Sequence, residues 1–172
     1  MDIYESLKND HDEVIGLLNE LLKLDEDDDY REVLIKQIEK NLIPHSRAEE
    51  AVFYNSIRAV SDNADVMHSF KEHMEAEVLL RNLQLKEKTD MNWKETAMKL
   101  KKALEHHIEE EEGKLFNVAK KIFNEKEAKM MSKAFQELKN KTEDEGAIKT
   151  SIDMVVNLMP PRFVDRLKNL GS

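Results

Sequence analysis

His45-Ser46-Arg47-Ala48-Glu49-Glu50-Ala51-Val52-Phe53-Tyr54 and His107-Ile108-Glu109-Glu110-Glu111-Glu112-Gly113-Lys114-Leu115-Phe116 share one pattern, His-x3-Glu-Glu-x2-apolar-aromatic. Four residues make a little over one helical turn, so in each copy the His and the first Glu stack on one face. The same face carries a core-like stripe. It runs Leu34, Ile38, Leu42, His45, Glu49, Val52 and Ser56 in the first copy, and Leu100, Leu104, His107, Glu111, Leu115 and Val118 in the second. An imidazole and a carboxylate therefore interrupt two otherwise apolar stripes.

Two further segments echo each other. Asp10-His11 is followed by Leu17-Leu18, and Glu72-His73 by Leu79-Leu80. Tyr4, Leu7, His11, Val14, Leu18 and Leu21 form one stripe; Phe70, His73, Leu80 and Leu83 form the other, on a helix from about 64 to 87. Turn-forming residues separate the four stripes. They are the acidic run Asp25-Glu26-Asp27-Asp28-Asp29, read as a solvated loop, then Ser61-Asp62-Asn63, then Thr89-Asp90, which supplies a break and an N-cap. Only four glycines and three prolines occur in 172 residues, which favours long helices over a turn-rich sandwich or barrel.

The fold class predicted is all-α: an up-down-up-down four-helix bundle over residues 1–123, built as two related helical hairpins. Pro44 inside the second helix should kink it, because it removes an amide donor. Residues 124–172 form a C-terminal helical extension, with stripes at Met130-Met131-Ala134-Phe135-Leu138 and Ile148-Ile152-Val155-Val156, the latter stopped by Pro160-Pro161. The extension either caps the bundle or builds a homodimer. Trp93 reads as a hydrophobic anchor.

Composition removes whole classes of function. The 27 basic against 36 acidic side chains leave a net charge of −9, the wrong sign for a nucleic-acid partner. No cysteine is present, which excludes disulfides, thiolate-bound zinc, iron–sulfur clusters and thiol catalysis. No apolar run approaches the ~20 residues of a membrane span, so no membrane partner is expected. The first residues lack the basic start and apolar run of a secretory leader, and a cytoplasmic location is expected.

Spacing alone says little about the histidines, because five of the six have a Glu four residues on. What discriminates is the stripe. His11, His45–Glu49, His73 and His107–Glu111 lie on apolar faces; His68 is about 140° from His73, and His106 is ~100° from His107, at the rim. Counted back from the shared turns at ~1.5 Å per residue, the inward polar residues of all four helices fall at one level. Two compensations are open to such a buried layer: a His–Glu hydrogen-bond network, or bound cations. Mixed imidazole and carboxylate donors without thiolate suit iron, manganese or zinc, and disfavour copper(I) and an oxygen-only calcium site. Four histidines and two or three glutamates exceed what one tetrahedral ion takes and suit two ions, with Glu49 and Glu111 as bridges.

This ordered set resembles the hemerythrin-like, HHE cation-binding family over roughly residues 1–123. The family's pattern is a lone His, His-x3-Glu, a third His, then His-x3-Glu, here matched by His11, His45–Glu49, His73 and His107–Glu111. The resemblance implies a four-helix bundle holding two iron ions, bridged by carboxylates and an oxo or hydroxo group. It implies His11 and His45 on one iron, and His73 and His107 on the other. Oxygen-carrying members have a second His four residues after the third; this chain has Glu77 there, which by spacing shares the face of His73 and is read as a further ligand. The expected function is binding or sensing of a small oxidant (oxygen, nitric oxide or peroxide) rather than an enzymatic one. The alternatives are catalase-like peroxide decomposition, and iron storage or donation for repair of iron–sulfur clusters. The oxidase-type Glu-x2-His spacing is absent from all six histidines.

Overall fold

The computed structural model describes residues 1–61, 63–89, 92–145 and 158–164, the side chains of 143–145 excepted. No strand occurs among them. Helix α1 (Ile3–Lys23) starts at a capping box, in which the Asp2 side chain accepts from the Glu5 amide while Glu5 accepts from the Asp2 amide. The acidic run then forms a loop, anchored from across the bundle by Trp93, whose buried indole Nε1 donates to the Glu26 carbonyl at 3.0 Å.

Helix α2 (Tyr30–Glu49) continues through Pro44, passes into a π turn at Glu50–Tyr54, and ends as the short α3 (Asn55–Arg58). Asn63 caps α4 (Ala64–Lys88), its side chain accepting from the Asp65 amide. The fourth rod repeats the second: α5 (Trp93–Glu110), a π turn at Glu111–Leu115, then α6 (Phe116–Ile122). Its N-cap is Asn92, in the left-handed region at φ 43°, which Asn tolerates better than most residues. Asp90, expected in that role, lies outside the described residues, as does the stripe from Ile148 to Val156.

Neither π turn was legible in the sequence, and each follows or contains a buried glutamate. In the first π turn Val52, Phe53 and Tyr54 are fully buried one after another.

The core divides into two apolar parts. One gathers Ile3, Leu7, Phe53, Tyr54, Phe116 and Phe123; the other gathers Val14, Leu18, Ile38, Leu80, Trp93 and Leu104. Between them lie the buried polar residues: His11 between Leu7 and Val14, His45 between Leu42 and Ala48, His107 between Leu104 and Leu115. A fifth long helix, α7 (Glu125–Glu145), packs on α1 and α2. Its Met131, Ala134, Phe135 and Leu138 are buried in the first core part, Ser132 meets Ser6 at 2.7 Å between hydroxyls, and Lys139 reaches Asp10 at 2.7 Å. Phe163 packs edge-on against Phe123 (5.3 Å), and Arg162 clamps Glu127.

Candidate metal centre

Six of the seven residues chosen from sequence converge in the polar layer. His11, His45, His73 and His107 are each 3–4% exposed, and Glu49 and Glu111 at most 1%. Each carboxylate lies between two imidazoles of different helices. Glu49 Oε2 is 3.4 Å from His45 Nε2 and 3.3 Å from His73 Nε2; Glu111 Oε2 is 3.5 Å from His11 Nε2 and 3.6 Å from His107 Nε2. His73 and His107 meet Nε2 to Nε2 at 3.2 Å, while the rings of His11 and His45 stand 5.1 Å apart, centre to centre. Every Nε2 thus points at the middle of the layer.

The other face of each ring is also held. His11 Nδ1 donates to Glu112 (3.0 Å), His45 Nδ1 to Asp10 (3.1 Å), His73 Nδ1 to Glu50 (3.0 Å) and His107 Nδ1 to Glu72 (3.0 Å). Carboxylates only accept, so each Nδ1 carries the proton and each Nε2 is the atom available as a ligand. A carboxylate behind an imidazole fixes its tautomer and raises its basicity toward a metal. In the sequence Asp10 and Glu72 each stand directly before a histidine, and Glu50 and Glu112 each stand directly after an inward glutamate. The tertiary structure crosses them over, since each of the four acids serves a histidine on a different helix.

This network has an internal twofold. Each participant has a counterpart 62 positions on: His11 and His73, His45 and His107, Glu49 and Glu111, Asp10 and Glu72, Glu50 and Glu112. The contacts obey the same relation, because Asp10–His45 repeats as Glu72–His107, and His73–Glu50 repeats as His11–Glu112.

Glu77, the seventh residue, is not brought to the layer. Its carboxylate pairs with Arg47 at 2.6 Å and lies 3.7 Å from Arg81, with 30% of its side chain exposed. Sharing a helical face with His73 sets direction only roughly; the charge-assisted contact to a guanidinium decides where the flexible side chain goes. His106 stays outside, 64% of its side chain exposed, as expected at the rim.

The electrostatics bear on what the layer can hold. Burial opposes charge on His45, but Glu49 and Asp10 outweigh it and raise its pKa to about 9. Burial likewise opposes charge on Glu49, yet His45 and His73 hold that carboxyl well below its usual value. Glu111 goes the other way: burial, then the charge of Glu49, push it well above the carboxylate range. Without a cation, protons must therefore stand at the centre. They do so poorly, since both carboxylate oxygens of Glu49, both of Glu111 and His11 Nε2 are buried without a hydrogen-bond partner. Unmet buried acceptors are costly. Separations of 3.2–3.6 Å are long for hydrogen bonds but close to the spacing of neighbouring ligands on an ion bound at about 2.1 Å. The donors of His11, Glu49, His107 and Glu111 all lie within 4.8 Å of one another. The residues present fit a cation centre.

Fold and site together suit a cation-binding four-helix bundle whose candidate ligands come from all four rods. The hemerythrin HHE cation-binding domain matches residues 2–119, and the chain belongs to that family. It is also similar to a protein named DNA nickase from Nostoc sp. (strain PCC 7120 / SAG 25.82 / UTEX 2576), with 25% identity over 141 residues. That alignment takes in 82% of this chain but 40% of the relative's length. No solved structure matches the chain.

Proposed function

We propose that this protein is a non-haem di-iron protein that binds or senses a small oxidant such as oxygen, nitric oxide or peroxide. The observation that carries the reading is the pair of buried carboxylates, Glu49 and Glu111, each unpartnered and each set between imidazoles of different helices. That arrangement suits bridges between two ions, with His11 and His45 holding one, and His73 and His107 the other. Iron in such a centre would supply reversible electron transfer and an open position for a small ligand. The chain supplies the rest. Asp10, Glu50, Glu72 and Glu112 fix the imidazoles, while Val14, Val52, Leu80 and Leu115, all at most 3% exposed, keep bulk water away.

Such enclosure favours a ligand of two or three atoms over a metabolite. Phe135 of α7 closes the His45 side, its ring 5.7 Å from the imidazole. The DNA-directed name of the Nostoc relative belongs to a much longer protein, and a net charge of −9 argues against phosphate binding by this chain. Among the described residues no helix is long and apolar enough to cross a membrane.

The test is an absorption spectrum of the iron-loaded protein taken without oxygen and again after its admission, with iron counted per chain. Near-ultraviolet bands that develop on admission, with two irons per chain, support the reading. A protein that retains no iron after saturation ends it.

A further inference from the structure

Helices α4 and α5 carry a second group of imidazoles and carboxylates, on the outside of the bundle. His68 and Glu72 stand one turn apart on α4, and His106 and Glu110 one turn apart on α5. His68 Nε2 is 3.3 Å from both Glu72 Oε1 and Glu110 Oε2. His106 Nε2 is 3.8 Å and 3.9 Å from the same two oxygens. All four donor atoms lie within 4.8 Å of one another. A tetrahedral ion with bonds of about 2.1 Å keeps its ligands about 3.4 Å apart, so these separations need little adjustment to close on one.

Surface His–Glu neighbours are common on charged helices and by themselves signify nothing. This group differs in how its acids are held. Glu72 uses Oε2 to accept from His107 Nδ1 at 3.0 Å and turns Oε1 to the cluster. Glu110 uses Oε1 to accept from Lys114 at 2.5 Å and turns Oε2 to the cluster. Each carboxylate is therefore anchored by one oxygen and presents the other. The two imidazoles, 52% and 64% exposed, can receive an ion directly from solvent. Two anchored acids converge there, one from each helix.

We propose that His68, Glu72, His106 and Glu110 form a second cation site that takes a zinc-like divalent ion in tetrahedral coordination by two imidazoles and two carboxylates. Two nitrogen donors suit zinc and disfavour magnesium and calcium, which prefer oxygen throughout. The site stands outside the buried centre and is linked to it by Glu72, which turns Oε2 to His107 and Oε1 to His68.

The test counts zinc and iron per chain after the iron-loaded full-length protein is dialysed against zinc, in the unsubstituted chain and in a His68→Ala/His106→Ala variant. One more zinc per chain in the unsubstituted protein, with equal buried metal in both, is the expected result. Equal zinc in the two proteins overturns the proposal. Should neither protein hold iron, a difference of one zinc still supports this site while ending the di-iron reading. Cobalt(II) in place of zinc gives a second readout: visible bands of a tetrahedral ion, absent from the variant and from a His68→Gln/His106→Gln chain that preserves bulk.

Discussion

His73 and His107 face one another through their Nε2 atoms at 3.2 Å, while a glutamate holds the Nδ1 of each, Glu50 for one and Glu72 for the other. Two nitrogens so placed repel unless a proton or a metal lies between them. His107→Ala and His45→Ala should each cut bound iron to less than half of the unsubstituted content, while His68→Ala leaves the iron content unchanged. Iron determination after gel filtration reads the difference.

The acids behind the imidazoles should matter almost as much as the ligands. Glu50→Gln and Glu112→Gln keep a hydrogen-bonding oxygen but lose the charge, and each should weaken metal affinity by roughly 10- to 100-fold. The internal twofold makes a sharper statement, namely that the two losses should be similar in size. Competition against a chromophoric chelator measures both. A loss in one without the other would show that the two halves are not equivalent in practice.

Glu77→Gln should leave iron content unaltered, because the carboxylate is engaged by Arg47 and not by the layer. Any loss of stability should stay within about 1 kcal/mol, as expected of a partly exposed ion pair. Iron content and urea unfolding on the same preparation separate the two effects. A fall in iron content would return Glu77 to the ligand set.

Phe135→Ala should destabilise the chain by about 3–5 kcal/mol, since the ring is fully buried and its removal leaves a cavity. The same cavity opens the His45 side of the layer, so iron should pass to an external chelator faster than from the unsubstituted protein. Urea titration gives the first effect, and the time course of chelator absorbance gives the second.

Metal removal should lower the melting temperature. A cation at 100 times its dissociation constant stabilises the folded state by about 2.7 kcal/mol. In a chain of this size that corresponds to roughly 5–10 °C. Differential scanning calorimetry with and without iron checks it, and the His45→Ala/His107→Ala chain should show no such dependence.

The helices and their inward faces could be read from the residues alone, because both follow from a local period of about 3.6 residues. His11, His45, Glu49, His73, His107 and Glu111 stand on apolar stripes at matching depths, and in the structure they occupy one buried layer. What lies between the rods came from the packed fold. It set which acid backs which imidazole, the passage of each His-x3-Glu-Glu segment into a π turn, the capture of Glu77 by Arg47, and the approach of Lys139 and Phe135 from α7. Those depend on the rotation and register of one helix against another, fixed by packing between residues far apart in the chain. A one-dimensional period carries no record of either.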